Sequence, residues 1–523
     1  MKKLFTMLML ASALIAAVPS TPAQAQLNSV INKAKQMGSK ATGVKASIEG
    51  KEKKVESIKN SGGASVLGVN VKTVGILKNT KGDYLYVCAE TGSARADGKT
   101  PETAVRDLQK AIDLAKDGDV ILVAEGNYLG NLDRGYIENG AFGNGTELGK
   151  FISIIGGYST DFSECDPIAH ITKIQPTAEG TAIKHCLLNF TARHPYGYKG
   201  PKFDMVISGL TFDMGELNLY AKADVTDDRT GTPNEGVLTG RFVEVGAGPS
   251  FPTVGGYAND NYELHINVED NLTITNCTFI NGSMFGIEGQ IGIGHLEICN
   301  NVFVACRYAA CDIQGSVNDN DIDKASVDFH HNTVIFSWCR TKEMGDMGQG
   351  FRFRNRIRTI ECHNNIFACN NRCGVERTFY EANKALEQAK ISNLYDNLFY
   401  ANHWDLEIAN GASKGIGVPA NRIDEAEEIG PKYEGNKQFS DDNFVSAIDP
   451  SYLNGFLNLK VMESSTFDRN SAANQLNRLL GQNQQGTMIC RPTMYCNKYP
   501  WEQAYNFYGV VEGYGAQYPV MGN

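Results

Sequence analysis

The residues best suited to chemistry are charged side chains in five short segments of the second half of the chain. The segments are residues 285–288, 311–314, 351–354, 374–377 and 404–407, and apolar and polar residues alternate in each of them. Alternation is the periodicity of a β-strand, so we expect the polar residues to share one face. That face would carry the following residues: Glu288, Asp312, Gln314, Arg352, Arg354, Glu376, Arg377, Asp405 and Glu407.

Arginine dominates the third segment, where alternate positions of residues 351–358 are Arg352, Arg354, Arg356 and Arg358. A continuous strand would place all four on one face. A guanidinium group binds a carboxylate or sulfate through two hydrogen bonds, which favours an acidic polysaccharide as ligand. The predicted substrate-binding residues are Glu288, Gln314, Arg340, Lys342, Asp405 and Glu407.

Two kinds of catalysis fit these residue types. Elimination from a polyuronate needs a base near the sugar C5 and cations that neutralise the carboxylate. The candidates for these roles are Arg352, Arg354, Glu376, Arg377 and Asp312. Hydrolysis instead needs two carboxylates about 5–9.5 Å apart, which Glu376 with Glu407, or Asp312 with Glu288, would provide after stacking. A third interpretation is that the charges are only solvated or pair with each other.

Metal-binding signals are weak. The loop at residues 318–324 is rich in oxygen ligands that suit calcium, and its acids are Asp319, Asp321 and Asp323. It lacks the glycine and glutamate positions of an EF-hand loop, so a turn held by Asp and Asn side chains is the alternative. His330 and His331 precede an Asn turn and are interpreted as serving it. Calcium is the cofactor that these residues would take, but the sequence does not require any cofactor.

The 13 cysteines have no C-x-x-C spacing that would indicate a zinc site. Three close pairs are candidate disulfides in an exported protein, namely Cys306/Cys311, Cys369/Cys373 and Cys490/Cys496. The alternative is that several are small buried residues between stacked strands.

A repeat positions the candidate strands. A four-residue motif has asparagine at its second position in four copies, at Asn301, Asn332, Asn365 and Asn397, so the steps are 31, 33 and 32 residues. A fixed period of this size is typical of stacked coils, each with a strand, an Asn turn, a strand, a loop and a further strand. Asparagine tolerates left-handed backbone angles, and its amide both donates and accepts, so we expect a structural Asn ladder. Two residues further on, aromatic side chains should stack inside: Phe303, Phe367 and Phe399.

The first ordered elements indicate how the stack begins. Residues 83–87 alternate as a strand, and a helix is predicted from Pro101, capped by Thr100, with Gly118 able to end it. Residues 119–124 are rich in β-branched residues and form the next strand.

Residues 86–128 and 151–162 carry a family resemblance. The first stretch, YVCAETGSARADGKTPETAVRDLQKAIDLAKDGDVILVAEGNY, resembles the N-terminal cap and first coil of secreted right-handed parallel β-helix proteins of the pectate-lyase-like superfamily. The second, FISIIGGYSTDF, resembles the following coil. The resemblance implies that the strands with the candidate residues floor the substrate groove. It leaves the activity open, because the superfamily includes lyases, hydrolases and binding proteins.

The chain divides into four parts. Residues 1–25 have a basic start, an apolar stretch and an A-x-A site, which predicts a signal peptide and export to the periplasm, cell surface or medium. Residues 26–82 form a Lys-rich flexible or partly helical arm. Residues 83–439 are the β-helix, with an excursion at about 213–268, and residues 440–523 are a C-terminal capping region.

Composition narrows the function. The net charge is −10, so nothing favours nucleic acid. No long apolar run follows the signal peptide, so we expect no transmembrane segment, and we expect a monomer. The fold class is all-β, a right-handed parallel β-helix with an N-terminal helical cap and a mixed C-terminal cap. The protein should bind an extracellular acidic polysaccharide or cell-surface glycan. It is either an enzyme, lyase before hydrolase, or a non-catalytic cell-envelope or adhesive protein.

Overall fold

The computed structural model describes residues 82–130, 137–140, 148–175, 186–195, 197–214, 243–244, 257–258, 262–282, 285–306, 309–315, 324–337, 348–353, 357–379, 391–410, 416–418, 433–457, 469–483 and 498–519. All of them belong to one compact unit of the chain. The predicted signal peptide and nearly all of the Lys-rich arm lie outside these residues, as do Arg340, Lys342, Arg354, Asp319, Asp321, Asp323 and the pair Cys490/Cys496.

Three long sheets, with strands numbered in chain order, form the body of the protein. Sheet 1 contains β1 (Tyr84–Val87), β2 (Val120–Ala124), β5 (Ser153–Tyr158), β8 (Asp204–Ser208), β13 (Asn271–Thr275), β16 (His295–Cys299), β19 (Ser326–His330), β22 (Thr359–His363) and β25 (Ile391–Tyr395). Sheet 2 contains β3 (Gly126–Leu129), β6 (Thr172–Gln175), β9 (Leu210–Asp213), β14 (Thr278–Ile280), β17 (Val302–Val304), β20 (Thr333–Ile335), β23 (Ile366–Ala368), β26 (Leu398–Tyr400) and β29 (Lys437–Gln438).

Sheet 3 contains β4 (Ile137–Asn139), β7 (Cys186–Ala192), β12 (Tyr262–Val268), β15 (Phe285–Ile291), β18 (Ala309–Gly315), β21 (Gln349–Phe353), β24 (Cys373–Phe379), β27 (Trp404–Asn410) and β28 (Ile416–Val418). Neighbouring strands in the three sheets are parallel, except for the β27–β28 pair. Each coil contributes one strand to each sheet in the order 1, 2, 3, so the protein is a right-handed parallel β-helix, as the sequence predicted.

In the five coils from β13 to β27, two corners use left-handed backbone angles. At the turn from sheet 1 to sheet 2, φ lies between 51° and 58° at Asn276, Asn300, His331, Asn364 and Asp396. Just after the sheet 2 strand, φ lies between 51° and 62° at Asn281, Ala305, Phe336, Cys369 and Ala401. The ladder asparagines follow the first of these corners and do not themselves have positive φ. The expectation that they take the left-handed angle was therefore wrong by one residue.

The Asn ladder is confirmed as a hydrogen-bonded stack. Asn301, Asn332 and Asn365 each donate their backbone N–H to the side-chain oxygen of the next rung, at 2.9–3.1 Å. Cys277 begins the ladder by donating its N–H to Asn301. Asn436 ends the ladder by accepting from Asn397, although it was not among the four predicted ladder residues. A second, shorter ladder at the other corner links Ser337, Asn370 and Asn402.

Aromatic rings stack inside the coil as expected, with one interruption. Phe279 and Phe303 are 4.7 Å apart between ring centroids, and Phe367 and Phe399 are 5.5 Å apart. The position between them is Val334, and Phe329 from sheet 1 fills the gap against Phe303 and Phe367. All of these rings are fully buried.

The N-terminal cap is two helices. Thr100 caps a 3₁₀ turn, Pro101–Thr103, through both bonds of a capping box. Asp107 then caps α1, Leu108–Leu114. The apolar face of α1, namely Leu108, Ala111 and Ile112, is part of the core that fills the coils. The cap is confirmed, but the continuous helix that the sequence predicted from Pro101 was wrong.

The C-terminal region covers the outer face of sheet 2 as well as lying near the last coil. Its helices are α2 (Asp442–Ala447), α3 (Pro450–Leu457), α4 (Ala472–Leu479) and a 3₁₀ helix, Trp501–Phe507. Their apolar residues form one cluster with the outward side chains of sheet 2. Tyr508 donates to the carbonyl of Cys277 at 3.1 Å, and Gly515 donates to that of Asn364 at 2.8 Å. The region is therefore a side cover that spans several coils, and not only an end cap.

The structure corrects two predictions, the extent of the excursion and two of the disulfides. Inside the predicted excursion, β12 already belongs to sheet 3, and a two-stranded antiparallel ribbon pairs Val243–Glu244 (β10) with Tyr257–Ala258 (β11). Cys306, Cys311, Cys369 and Cys373 are buried thiols that form no disulfide with one another, so the two disulfides proposed for them are wrong and the buried-residue interpretation holds. Among the described residues, no helix is both long and apolar enough to cross a membrane.

Candidate functional site

Five of the sequence-predicted residues form one continuous row on the outward face of sheet 3, which we call the sheet 3 row. Strand register aligns Glu288 with Asp312, Asp312 with Arg352, Arg352 with Glu376, and Glu376 with Glu407. Each follows a buried core residue in its strand, so the alternation that the sequence showed sets the direction of the side chain. Their roles in binding or catalysis stay predictions.

Ion pairs connect most of the row. Arg352 lies 3.3 Å from Asp312 and 3.2 Å from Glu376. Arg372, which precedes β24 and was missed in the sequence, lies 2.5 and 2.7 Å from the two oxygens of Glu407 and 3.5 Å from Glu376. All five residues are at least nine-tenths buried. The two guanidinium groups are thus already bound to carboxylates of the protein.

Burial and the two carboxylates that bind Arg372 keep the neighbouring Cys373 thiol protonated. Burial lowers the pKa of Arg372, but the hydrogen bonds to Glu407 and the charge of Glu376 raise it by more, so the net pKa lies above its ordinary value. Burial, with the charges of Glu407 and Glu376, raises the pKa of Cys373 well above its usual range. Cys373 is close enough to Glu376 and Glu407 to share a metal with them. Arg372 occupies both carboxylates, however, which disfavours a cation there.

Several other predicted residues lie elsewhere. Arg377 is aligned with the core residue Phe353, so it occupies an inward position and the outward prediction was wrong. Asp405 accepts from Asn402 and Gln438, at 3.3 and 3.0 Å, outside the row. Arg358 is exposed in a bend just before β22, so the prediction that it continues the strand face of Arg352 was wrong, while Arg354 and Arg356 lie outside the described residues.

The accessible part of this face lies on both sides of the sheet 3 row. Gln314 is aligned with Gln290 two residues beyond the row, and both are partly exposed. Trp404 begins β27, is partly exposed, and contacts His403 edge to face with ring centroids 4.9 Å apart. These side chains can reach a ligand without breaking an ion pair.

The outward face of sheet 1 holds a second polar cluster that was not predicted. One row aligns Glu297, Asp328, Glu361 and Asn393, and a second aligns Cys299, His330, His363 and Tyr395. The imidazole rings of His330 and His363 stack with centroids 5.0 Å apart. The signal was present in the sequence, because these rows stand four and two residues before each ladder asparagine.

Diagonal contacts link the two rows of sheet 1. Nε2 of His330 lies 3.4 Å from Glu297, and Nε2 of His363 lies 3.3 Å from Asp328. His331, which forms the corner as predicted, has its Nδ1 2.8 Å from Nδ1 of His330.

Three pKa values on this face depart from their ordinary range. Burial and the neighbouring His330 and His363 lower the pKa of His331 to about 3. Burial lowers the pKa of His363, but the hydrogen bonds with Asp328 and Asn364 and the charges of Asp328 and Glu361 together raise it by more, so the net direction is upward. Burial and the charges of Glu361 and Asp328 raise the pKa of Tyr395 to about 12.

Comparison with known proteins gives similarity of fold. No family model matches the sequence, and no curated protein matches it. The structure is similar to that of XylC in complex with xylose, at 10% identity, over 62% of this chain and 69% of that chain, with a TM-score of 0.22. It is also similar to the pectate lyase Pel9A, at 11% identity, over 78% of this chain and 89% of that chain, with a TM-score of 0.25. A rhamnogalacturonan lyase is similar at 13% identity, over 77% of this chain and 99% of that chain, with a TM-score of 0.20.

Proposed function

We propose that this protein is exported and binds a polysaccharide along the outward face of sheet 3. The observation that carries the proposal is that partly exposed Gln290, Gln314 and Trp404 lie on the two sides of the polar sheet 3 row, which crosses five successive strands. Strands in a sheet are about 4.8 Å apart, so the face repeats its hydrogen-bonding groups at regular intervals, which suits a repeating polymer.

The charges support recognition of hydroxyl groups by the described part of this face. Four carboxylates stand there with two guanidinium groups, and the ion pairs occupy both guanidinium groups. The accessible side chains are Gln290, Gln314 and Trp404, which offer amide hydrogen bonds and an aromatic surface. An acidic polysaccharide would depend on Arg340, Lys342 and Arg354, which lie outside the described residues.

The test is a binding screen with the purified chain against neutral glycans, polyuronates and sulfated glycans, with and without calcium. Trp404→Ala should weaken binding of the recognised glycan at least ~5-fold, since an aromatic contact is worth roughly 1 kcal/mol or more. Trp501→Ala is the matched control, because Trp501 is also partly exposed but lies in the cover of sheet 2. Equal affinity of Trp404→Ala and the unaltered chain would reject this face. Binding to no glycan would favour the alternative of a structural cell-envelope or adhesive protein.

A second candidate function is cleavage of the bound chain. Glu288 and Asp312 are neighbouring carboxylates in register, and hydrolysis or elimination requires such acids or bases beside the scissile bond. Hydrolysis would release new reducing ends, whereas elimination would release unsaturated products that absorb ultraviolet light. Glu288→Gln should remove turnover and keep glycan binding. Turnover that survives in Glu288→Gln would exclude this pair.

A further inference from the structure

Three side chains on the outward face of sheet 1 bring different donor atoms together. Glu297 and Cys299 lie two residues apart on β16, and Cys299 is aligned with His330 on β19, so all three point to the same side. A carboxylate oxygen, the Cys299 sulfur and an imidazole nitrogen lie within 4.8 Å of one another. The 3.4 Å between Nε2 of His330 and Oε1 of Glu297 is about the edge of a tetrahedron with ligand bonds of ~2.1 Å.

Each of the three donors is held by an outer partner. Thr273 donates to Oε2 of Glu297 at 3.1 Å, which leaves Oε1 on the side of His330. The sulfur of Cys299 lies 3.4 Å from the hydroxyl of Thr275. Nδ1 of His330 lies 2.8 Å from Nδ1 of His331, which fixes the orientation of the His330 ring. Outer hydrogen bonds of this kind orient the ligands of protein-bound metals.

The arrangement differs from a catalytic relay. In a nucleophile–histidine–acid triad, the nucleophile and the acid contact opposite nitrogens of the imidazole ring. Here Nδ1 of His330 is turned to His331, Nε2 lies 3.4 Å from Glu297, and the Cys299 sulfur lies within 4.8 Å of an imidazole nitrogen on the same side. When the proton between the two histidines is carried by His330, the lone pair of Nε2 is directed at the carboxylate. Convergence of a lone pair, a carboxylate and a sulfur favours a bound cation.

We propose that Glu297, Cys299 and His330 bind a zinc ion, with a water molecule as its fourth ligand. Sulfur, imidazole nitrogen and carboxylate oxygen are the three ligand types that zinc takes in proteins, whereas calcium and magnesium take oxygen. On binding, Cys299 loses its proton to solvent, and the thiolate and carboxylate balance the charge of the ion. The side chain of Glu297 is 13% exposed, which leaves a route for the metal and for water.

The experiment uses the full chain, stripped with a chelator and titrated with zinc and, separately, with cobalt(II). Zinc should bind with a stoichiometry of one at this site, and cobalt(II) should give a sulfur-to-metal charge-transfer band in the near ultraviolet. Cys299→Ser should abolish the band, and His330→Gln should abolish zinc binding at this site. Thr273→Val should weaken zinc binding by about 10–100-fold, because it frees the carboxylate from its outer partner.

Cys373→Ser is the matched control, since Cys373 also lies beside two carboxylates but Arg372 occupies them. This variant should keep the cobalt band and the zinc affinity. The proposal is overturned if the unaltered chain binds no zinc, or if Cys299→Ser keeps the band, or if Cys373→Ser loses it. Circular dichroism verifies the fold of each variant, and Glu297→Gln replaces any variant that does not fold.

Discussion

The Asn ladder allows the stability contributed by a fully buried asparagine to be compared with that of a partly exposed one. Asn332 accepts from the backbone N–H and the side-chain amide of Asn301, both at 3.0 Å. It donates to the carbonyl of Ile298 at 2.9 Å and to the side chain of Asn365 at 3.2 Å. Asn301, Ile298 and Asn332 are completely buried. Substitution of Asn332 by alanine therefore leaves one backbone donor and one backbone acceptor away from water.

The magnitude follows from these two groups. A buried polar group that loses its partner costs about 1–3 kcal/mol, so Asn332→Ala should lower the free energy of unfolding by about 2–6 kcal/mol. A domain is typically stable by only about 5–15 kcal/mol. Asn436 is the control, because it accepts from Asn397 at 3.1 and 3.0 Å and donates to Leu394 at 2.7 Å, yet it is partly exposed. Asn397 and Leu394 are themselves buried, but removal of the partly exposed Asn436 side chain would admit water to their polar groups, so Asn436→Ala should cost about 0.5–1.5 kcal/mol.

The assay is urea unfolding followed by circular dichroism, with the midpoint and the slope compared between the two variants. Asn332→Ala should shift the midpoint at least twice as far as Asn436→Ala. Equal shifts would show that burial does not set the value of these bonds, and the reasoning would fail. If Asn332→Ala does not fold, Asn332→Cys reproduces the natural residue at the first rung, Cys277, whose thiol contacts the Thr275 carbonyl at 3.3 Å.

Two further predictions concern buried charges and thiols. Arg372→Ala should lower the free energy of unfolding by about 3–5 kcal/mol, because it leaves Glu407 without its buried cation. The control Arg358→Ala, at an exposed position, should change the free energy of unfolding by at most ~0.5 kcal/mol. Similar urea midpoints for the two variants would contradict the ion-pair assignment. Burial raises the pKa of Cys277 to about 12 from 9.0, so the folded state keeps the thiol protonated and loses this part of its stability as pH rises from about 9 to about 12. Iodoacetamide at pH 8 should label Cys277 only after urea unfolding, and labelling of the native chain at the unfolded rate, measured by mass spectrometry, would refute it.

The sequence predicted those parts of the fold that depend on periodicity. The steps of 31 to 33 residues required stacked coils, and alternation within the strands placed Glu288, Asp312 and Glu376 outward. Predictions failed where a charged segment was interpreted as one uniform face. Arg377 follows the outward Glu376 directly, so alternation itself turns it inward, and Arg358 lies in an exposed bend before β22 rather than in the strand of Arg352.

Contacts between successive coils were harder to predict, because their residues are far apart in sequence. Arg372 binds Glu407 across a separation of 35 residues, and nothing near Arg372 in the sequence marks it. The sheet 1 cluster was missed because His330 and His331 were interpreted as turn residues alone. Counting four and two residues back from each ladder asparagine would have found the cluster, since the ladder fixes the register of the strand before it.

The two polar faces of the coil show why chemistry in a solenoid depends on which residues stack. On sheet 3, carboxylates flank arginines, so ion pairs hold both guanidinium groups and serve the fold. On sheet 1, Glu297 meets His330 of the next coil, and Asp328 meets His363 in the same diagonal geometry. These neighbouring sites differ in one residue of the second row, which is Cys299 beside Glu297 and His330 beside Asp328. If the thiol decides metal binding, the site of Glu297, Cys299 and His330 should bind zinc through its thiolate. The site of Asp328, His330 and His363 has no sulfur ligand, so the Cys299→Ser variant should give no charge-transfer band with cobalt(II).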